Sequence, residues 1–172
     1  MAEVRFDFSD SVVLVSGAAR GVGREIALEF VRAGAQVVAI DRDGDGLEET
    51  ARLARSEVDG PVGQDATAGG HAGTEADPPE ETSHPAVPHA AGGTLTPATV
   101  DIRSKADVTA LVQRIDQEFG RIDVCVNNAA VAPHEGLLEY RESLWDTMYA
   151  VNAKGTFLVT QAVADLMVRR QI

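Results

Sequence analysis

Cysteine is nearly absent from this chain of 172 residues, and the single copy, Cys125, excludes an internal disulfide framework. Its neighbours Val124 and Val126 are apolar and no cation adjoins it, so the thiol reads as a small buried residue rather than a nucleophile. Long hydrophobic runs are also missing, and none approaches the roughly 18 residues that span a bilayer. Met1 to Asp10 is polar and charged, with no signal-peptide core, so the expected compartment is the cytoplasm. Positive charge is scarce: 15 Lys and Arg stand against 27 Asp and Glu, for a formal charge of -12. Such a surface repels phosphate polymers and anionic lipid, which argues against nucleic acid or a membrane as partner. The apolar share of 44% and the length are enough for one domain with a real core.

The chain has two structured segments around an odd middle. Val12-Val13-Leu14-Val15 is a continuous apolar run, as a parallel strand covered on both faces requires. Val22, Ile26 and Phe30 then recur every four residues, predicting one apolar helix face that Gly34 closes. Val37 to Ile40 predicts a second buried strand, and Leu47 to Val58 a second helix. Residues 60–98 break this rhythm, holding six of the seven prolines, five acids (Asp65, Glu75, Asp77, Glu80, Glu81) and no Lys or Arg. With no sustained period, the stretch cannot bury enough apolar surface to offset its ordering entropy, which predicts a mobile acidic insertion. Its His71, His84 and His89 match no compact ligand spacing, so no metal is expected.

Ala98 to Ile102 predicts a third strand, and Ser104 with Asp107 a helix cap. Val108, Leu111, Val112, Ile115 and Phe119 follow at helical spacing before Gly120, and Ile122 to Val126 predicts a fourth strand. From Glu142 a long helix is expected, with Leu144, Met148, Val151, Gly155, Leu158, Ala162 and Leu166 facing inward. Trp145 is expected to pack in the core, with His134 and Leu137 at a pocket edge. Alternation of strand and helix implies an α/β fold, its parallel strands in the order 3-2-1-4.

Two features carry chemistry. Ser16-Gly17-Ala18-Ala19-Arg20-Gly21-Val22-Gly23 lies between the first strand and the first helix. A dinucleotide pyrophosphate must approach backbone at a helix N-terminus, where free N–H groups and the helix dipole favour anions. Glycine permits both that approach and the tight turn. Asp41, 18 residues past Gly23, closes the second strand, where a carboxylate can accept from adenosine ribose hydroxyls and repel a 2′-phosphate. That favours NAD over NADP, although Arg20 and Arg42 could each meet a 2′-phosphate.

With these residues in place, the chain resembles a short-chain dehydrogenase/reductase. That family's glycine motif falls on Gly17, Gly21 and Gly23, with Arg20 and Val22 inside it. Its adenine-contacting acid falls on Asp101, with Ile102 lining the base. Its Asn-Asn-Ala-Gly motif falls on Asn127-Asn128-Ala129-Ala130, alanine replacing the last glycine, and its V-N-x-x-G on Val151-Asn152-Ala153-Lys154-Gly155. The resemblance implies a Rossmann-type doubly wound sheet, NAD as cofactor and a small alcohol or ketone as substrate. It assigns Asn127 and Ala129 to the cofactor site, and Asn152 to a bend in the long helix and to the proton relay.

The family's catalytic serine and Tyr-x-x-x-Lys find no match. Four residues beyond Tyr140 and Tyr149 stand Leu144 and Ala153, and the lysines are Lys105 and Lys154. The expectation is a single domain over residues 1–172 that stops where a fifth strand should begin and is inactive alone. Its alternatives are half of a split enzyme or a non-catalytic dinucleotide-binding or interaction module; the partner expected is a second copy, in a homo-oligomer, or a complementing chain.

Overall fold

The computed structural model describes residues 6–59 and 92–172. The body of the predicted insertion, with its three histidines, lies outside the described residues. Strand β1 (Val12–Ser16), helix α1 (Gly21–Arg32), strand β2 (Gln36–Asp41) and helix α2 (Gly44–Asp59) come first. Strand β3 (Thr94–Thr99), helix α3 (Lys105–Glu118) and strand β4 (Val124–Val126) follow. A long helical arm closes the chain: α4 (Glu142–Met148), a π-helical segment (Tyr149–Gly155) and α5 (Thr156–Arg170). All strand pairs are parallel, in the order β3-β2-β1-β4, as the alternating pattern predicts.

Every residue of β1 is buried, because helices cover both faces of the sheet. Val12 and Leu14 join Val38, Ile40, Leu111, Ile115 and Leu166 on one side; Val13 and Val15 join Ala27, Leu28, Val31 and Leu47 on the other. Burying one such aliphatic side chain stabilises the fold by about 1.5–3 kcal/mol. The two arginines ending α5 reinforce its packing, Arg170 and Arg169 reaching Asp116 on α3 at 2.6 and 3.3 Å. Hydrogen bonding by Arg170 first, with Arg169 helping, holds the Asp116 carboxyl below its ordinary range.

Several expectations need correction. The third strand begins at Thr94, four residues before the expected Ala98, so the irregular middle is shorter than 60–98. Pro97, opposite Ala39, disguises it; proline is tolerated because β3 edges the described sheet. Val22 is 71% exposed on the first turn of α1, whose buried face is Gly23, Ala27, Leu28 and Val31. Trp145 is 57% exposed, not in the core.

The inward face of the long helix changes partway. Below the π-helical segment the buried positions are Leu158, Val159, Val163 and Leu166, so Val159 and Val163 take the place expected of Ala162. A π turn holds more residues than an α turn, which rotates the downstream stripe around the axis. Cys125 is half-buried as a small apolar residue, and burial pushes its thiol up to about 11, away from the reactive range.

Candidate functional site

An open cleft of about 570 Å³ lies at the carboxyl ends of the strands. It sits where the chain order reverses between β1 and β4, the place at which sheets of this kind take ligands. Its wall gathers nine of the residues expected there: Gly17, Arg20, Val22, Gly23, Asp41, Arg42, Asp101, Ile102 and Ala129. Gly21, Asn127 and Asn152 do not line it.

The glycine turn has the room its sequence implies, but the reason differs at each position. A Cβ on Gly23 would stand 2.1 Å from the Gly17 carbonyl oxygen and 2.4 Å from Asn128 Nδ2. One on Gly17, whose φ is +72°, would meet the Ala129 backbone at 2.8 Å. These two glycines are therefore required by the protein's own packing, before any ligand is considered. The approach they permit is interlocked by polar groups. Asn128 Nδ2 donates to the carbonyls of Ser16 and Gly17 at 3.1 and 3.2 Å. The buried Ser16 hydroxyl accepts from the amides of Asn128 and Ala129 at 3.1 and 3.2 Å. Asn128 is thus a site residue that pattern reasoning passed over in favour of Asn127. Two adjacent asparagines look alike in sequence, but Asn127 turns the other way, to the Thr160 hydroxyl at 3.1 Å.

Across the cleft, Asp41 is held at the end of β2, its carboxylate accepting from the amides of Ala19 at 3.3 Å and Asp43 at 3.1 Å. Asp101 follows β3 and binds the Arg103 guanidinium through both oxygens. The hydrogen bonds from Arg103 hold the Asp101 carboxyl below its ordinary range against the opposing effect of burial, with Arg42 adding attraction. Ile102 packs against Gly155, where a Cβ would come within 2.7 Å of its side chain. This close approach gives the glycine of Val151 to Gly155 a packing reason.

Asn152 lies inside the π-helical segment, a backbone form that often marks functional sites. Its side-chain amide makes two bonds to one residue, accepting from the Val131 N–H and donating to the Val131 carbonyl, each at 2.9 Å. The loop from Asn128 to Val131 that walls the cleft is thereby tied to the helical arm. Among the described residues only Gln171 of the non-glycine residues has a positive φ, so Ala130 occupies its glycine position without left-handed strain. The same residues include no group of three or more potential metal ligands, and no helix long and apolar enough to cross a membrane.

A family model described as short chain dehydrogenase matches residues 11–68 and 72–172. The dehydrogenase subunit BbsD of Thauera aromatica is 34% identical over 160 residues, covering 93% of this chain and 51% of that protein. A (3R)-3-hydroxyacyl-CoA dehydrogenase of Mus musculus is 33% identical over 159 residues, covering 92% of this chain and 51% of that protein. A solved metagenomic short-chain oxidoreductase in complex with NADP aligns with a TM-score of 0.70 at 27% identity, over 94% of this chain and 58% of that one. The chain spans about half the length of the curated relatives it matches.

Proposed function

Because the chain belongs to the short-chain dehydrogenase family, we propose that it carries the cofactor-binding part of an NAD(H)-dependent oxidoreductase acting on a small secondary alcohol or ketone in the cytoplasm. The observation that carries this reading is the cleft itself. It places a backbone-lined glycine cradle at one wall and the carboxylates of Asp41 and Asp101 at another. The cradle suits a pyrophosphate, since Gly17, Arg20, Val22 and Gly23 line the cleft where α1 begins, and a helix N-terminus favours an anion. In this proposal Gly17, Val22 and Gly23 hold the pyrophosphate, Gly21 supplies the turn's positive φ, and Asp41 accepts from the adenosine ribose. Asp101 and Ile102 bound the adenine, while Asn127 and Ala129 support the loop beneath. When bound, the nicotinamide ring supplies the carbon that accepts or gives up hydride. Asn152 contributes to the proton relay by fixing the helical arm against Val131.

The choice of NAD rests on Asp41, whose charge opposes a 2′-phosphate. Arg20 and Arg42 also line the cleft and are the cations through which NADP would compete. Fluorescence titration of the 172-residue chain with NADH and NADPH decides between them. NADH should bind more tightly, and Asp41→Ala should weaken it by about five-fold, the worth of one net hydrogen bond. NADPH binding at least as tightly would reverse the cofactor choice, and no binding by folded protein would sink the cofactor reading.

A second reading draws on the outer edge of β4, which pairs only with β1 among the described strands. An open edge favours completion by a complementing chain or a second copy over a self-sufficient non-catalytic module. Alcohol oxidation that appears only when a chain bearing a Ser and a Tyr-x-x-x-Lys is added would support this reading; full activity of the chain alone would refute it.

A further inference from the structure

Two polar side chains are fully buried among the described residues, Ser16 and Thr50. Ser16 is accounted for by its bonds to the loop after β4. Thr50 stands in the second turn of α2, outside the cleft wall, yet converges on the glycine turn. Its Oγ1 donates to the Ala18 carbonyl at 2.9 Å, with the Gly46 carbonyl at 3.0 Å as alternative acceptor. The same hydroxyl accepts from Arg24 Nε at 3.0 Å, and Arg24 Nη2 donates to the Ala19 carbonyl. Gly46 seals the arrangement, since a Cβ there would meet Ala19 Cβ at 2.8 Å.

The carbonyls of two successive peptides, Ala18 and Ala19, are therefore drawn toward one Arg–Thr pair. In a trans peptide the C=O and the following N–H point to opposite edges of the plane. The N–H groups of Ala19 and Arg20 must then face away from that pair. For Ala19 this is visible directly, because its N–H donates to Asp41, a cleft residue, at 3.3 Å. A carbonyl that accepts from a guanidinium also polarises its own peptide, making the opposite N–H a stronger donor.

We propose that Arg24 and Thr50 are positioning residues that hold the turn for a bound dinucleotide, the Ala19 amide on Asp41 and the Arg20 amide toward the pyrophosphate. The proposal rests on the cofactor reading above and adds two residues, neither of which lines the cleft. It predicts that their loss weakens the phosphate-bearing ligand more than the nucleoside.

The full chain is titrated with ADP-ribose by calorimetry and with adenosine by amide NMR shifts. Thr50→Val, which keeps the side-chain volume, and Arg24→Met should each weaken ADP-ribose by about five-fold or more, the loss of one net hydrogen bond. Adenosine affinity should fall by less than ADP-ribose affinity, and Thr50→Ser should restore the wild-type value for ADP-ribose. The Arg20 amide shift that ADP-ribose induces in wild type should shrink in both variants. If Arg24→Met fails to fold, Thr50→Val carries the test. Unchanged ADP-ribose affinity in a folded variant, or equal losses for both probes, overturns the positioning role while leaving the cofactor reading intact. Wild-type protein that binds neither probe overturns both.

Discussion

The half of the molecule built from β1, α1, β2 and α2 is deeply buried, while β4 and the helical arm are covered only in part. β1 is buried along its whole length, and β2 is buried from Val37 to Ile40. By contrast all three residues of β4 are only half-buried, and α4 has no buried residue at all. Trp145, Tyr149 and Phe157 stand out along that arm at 57%, 63% and 58% exposure. The cleft draws on both, since the glycine turn and Asp41 line it together with Asn128 to Val131, and Asn128 locks the turn through the Ser16 and Gly17 carbonyls. The cofactor site proposed above therefore spans the deeply buried region and the half-buried one.

Substitutions in the two halves should therefore behave differently. The largest effect is expected from Leu14→Ala, which hollows a fully buried site in the central strand. It should cost about 2–5 kcal/mol, read as a lower midpoint in urea. A loss below 1 kcal/mol would show that the β1 core is not the stable half. Next comes Gly23→Ala, whose Cβ has no room beside Gly17 and Asn128. It should destabilise by about 1–3 kcal/mol and abolish NADH binding, because the turn must open to admit it. Retained NADH affinity would separate the turn from the ligand. The smallest effect belongs to Trp145→Ala, expected to shift stability by no more than about 0.5 kcal/mol in dilute protein. A large, concentration-dependent fall in melting temperature would mean that this face is covered by another copy in solution.

Much of the fold was legible in the residues alone wherever its signals are local. The apolar run of β1, the stops at Gly34 and Gly120 with φ of +92° and +74°, and the Ser104 cap bonded to the Asp107 amide at 3.3 Å each follow from one short stretch. The misreadings share a different cause. Val22 fits the apolar period of α1 yet lies exposed, since periodicity does not say where the first turn sits over the cleft. β3 hides behind threonines and Pro97, an edge strand without the aliphatic run of its neighbours. Asn128 and Asn127 are told apart only by which one faces Ser16. Arg24 and Thr50 were invisible because they meet each other 26 residues apart and otherwise bond main-chain carbonyls, which carry no sequence signature.

The π-helical segment sets the phase of everything after it. A π turn accommodates one residue more than an α turn, so α5 meets the sheet with Val159, Val163 and Leu166 rather than with the positions an unbroken α-helix would present. The same phase brings Arg169 and Arg170 to Asp116. Seven residues thus work as a rotary coupling between the loop that walls the cleft and the helix that covers the sheet.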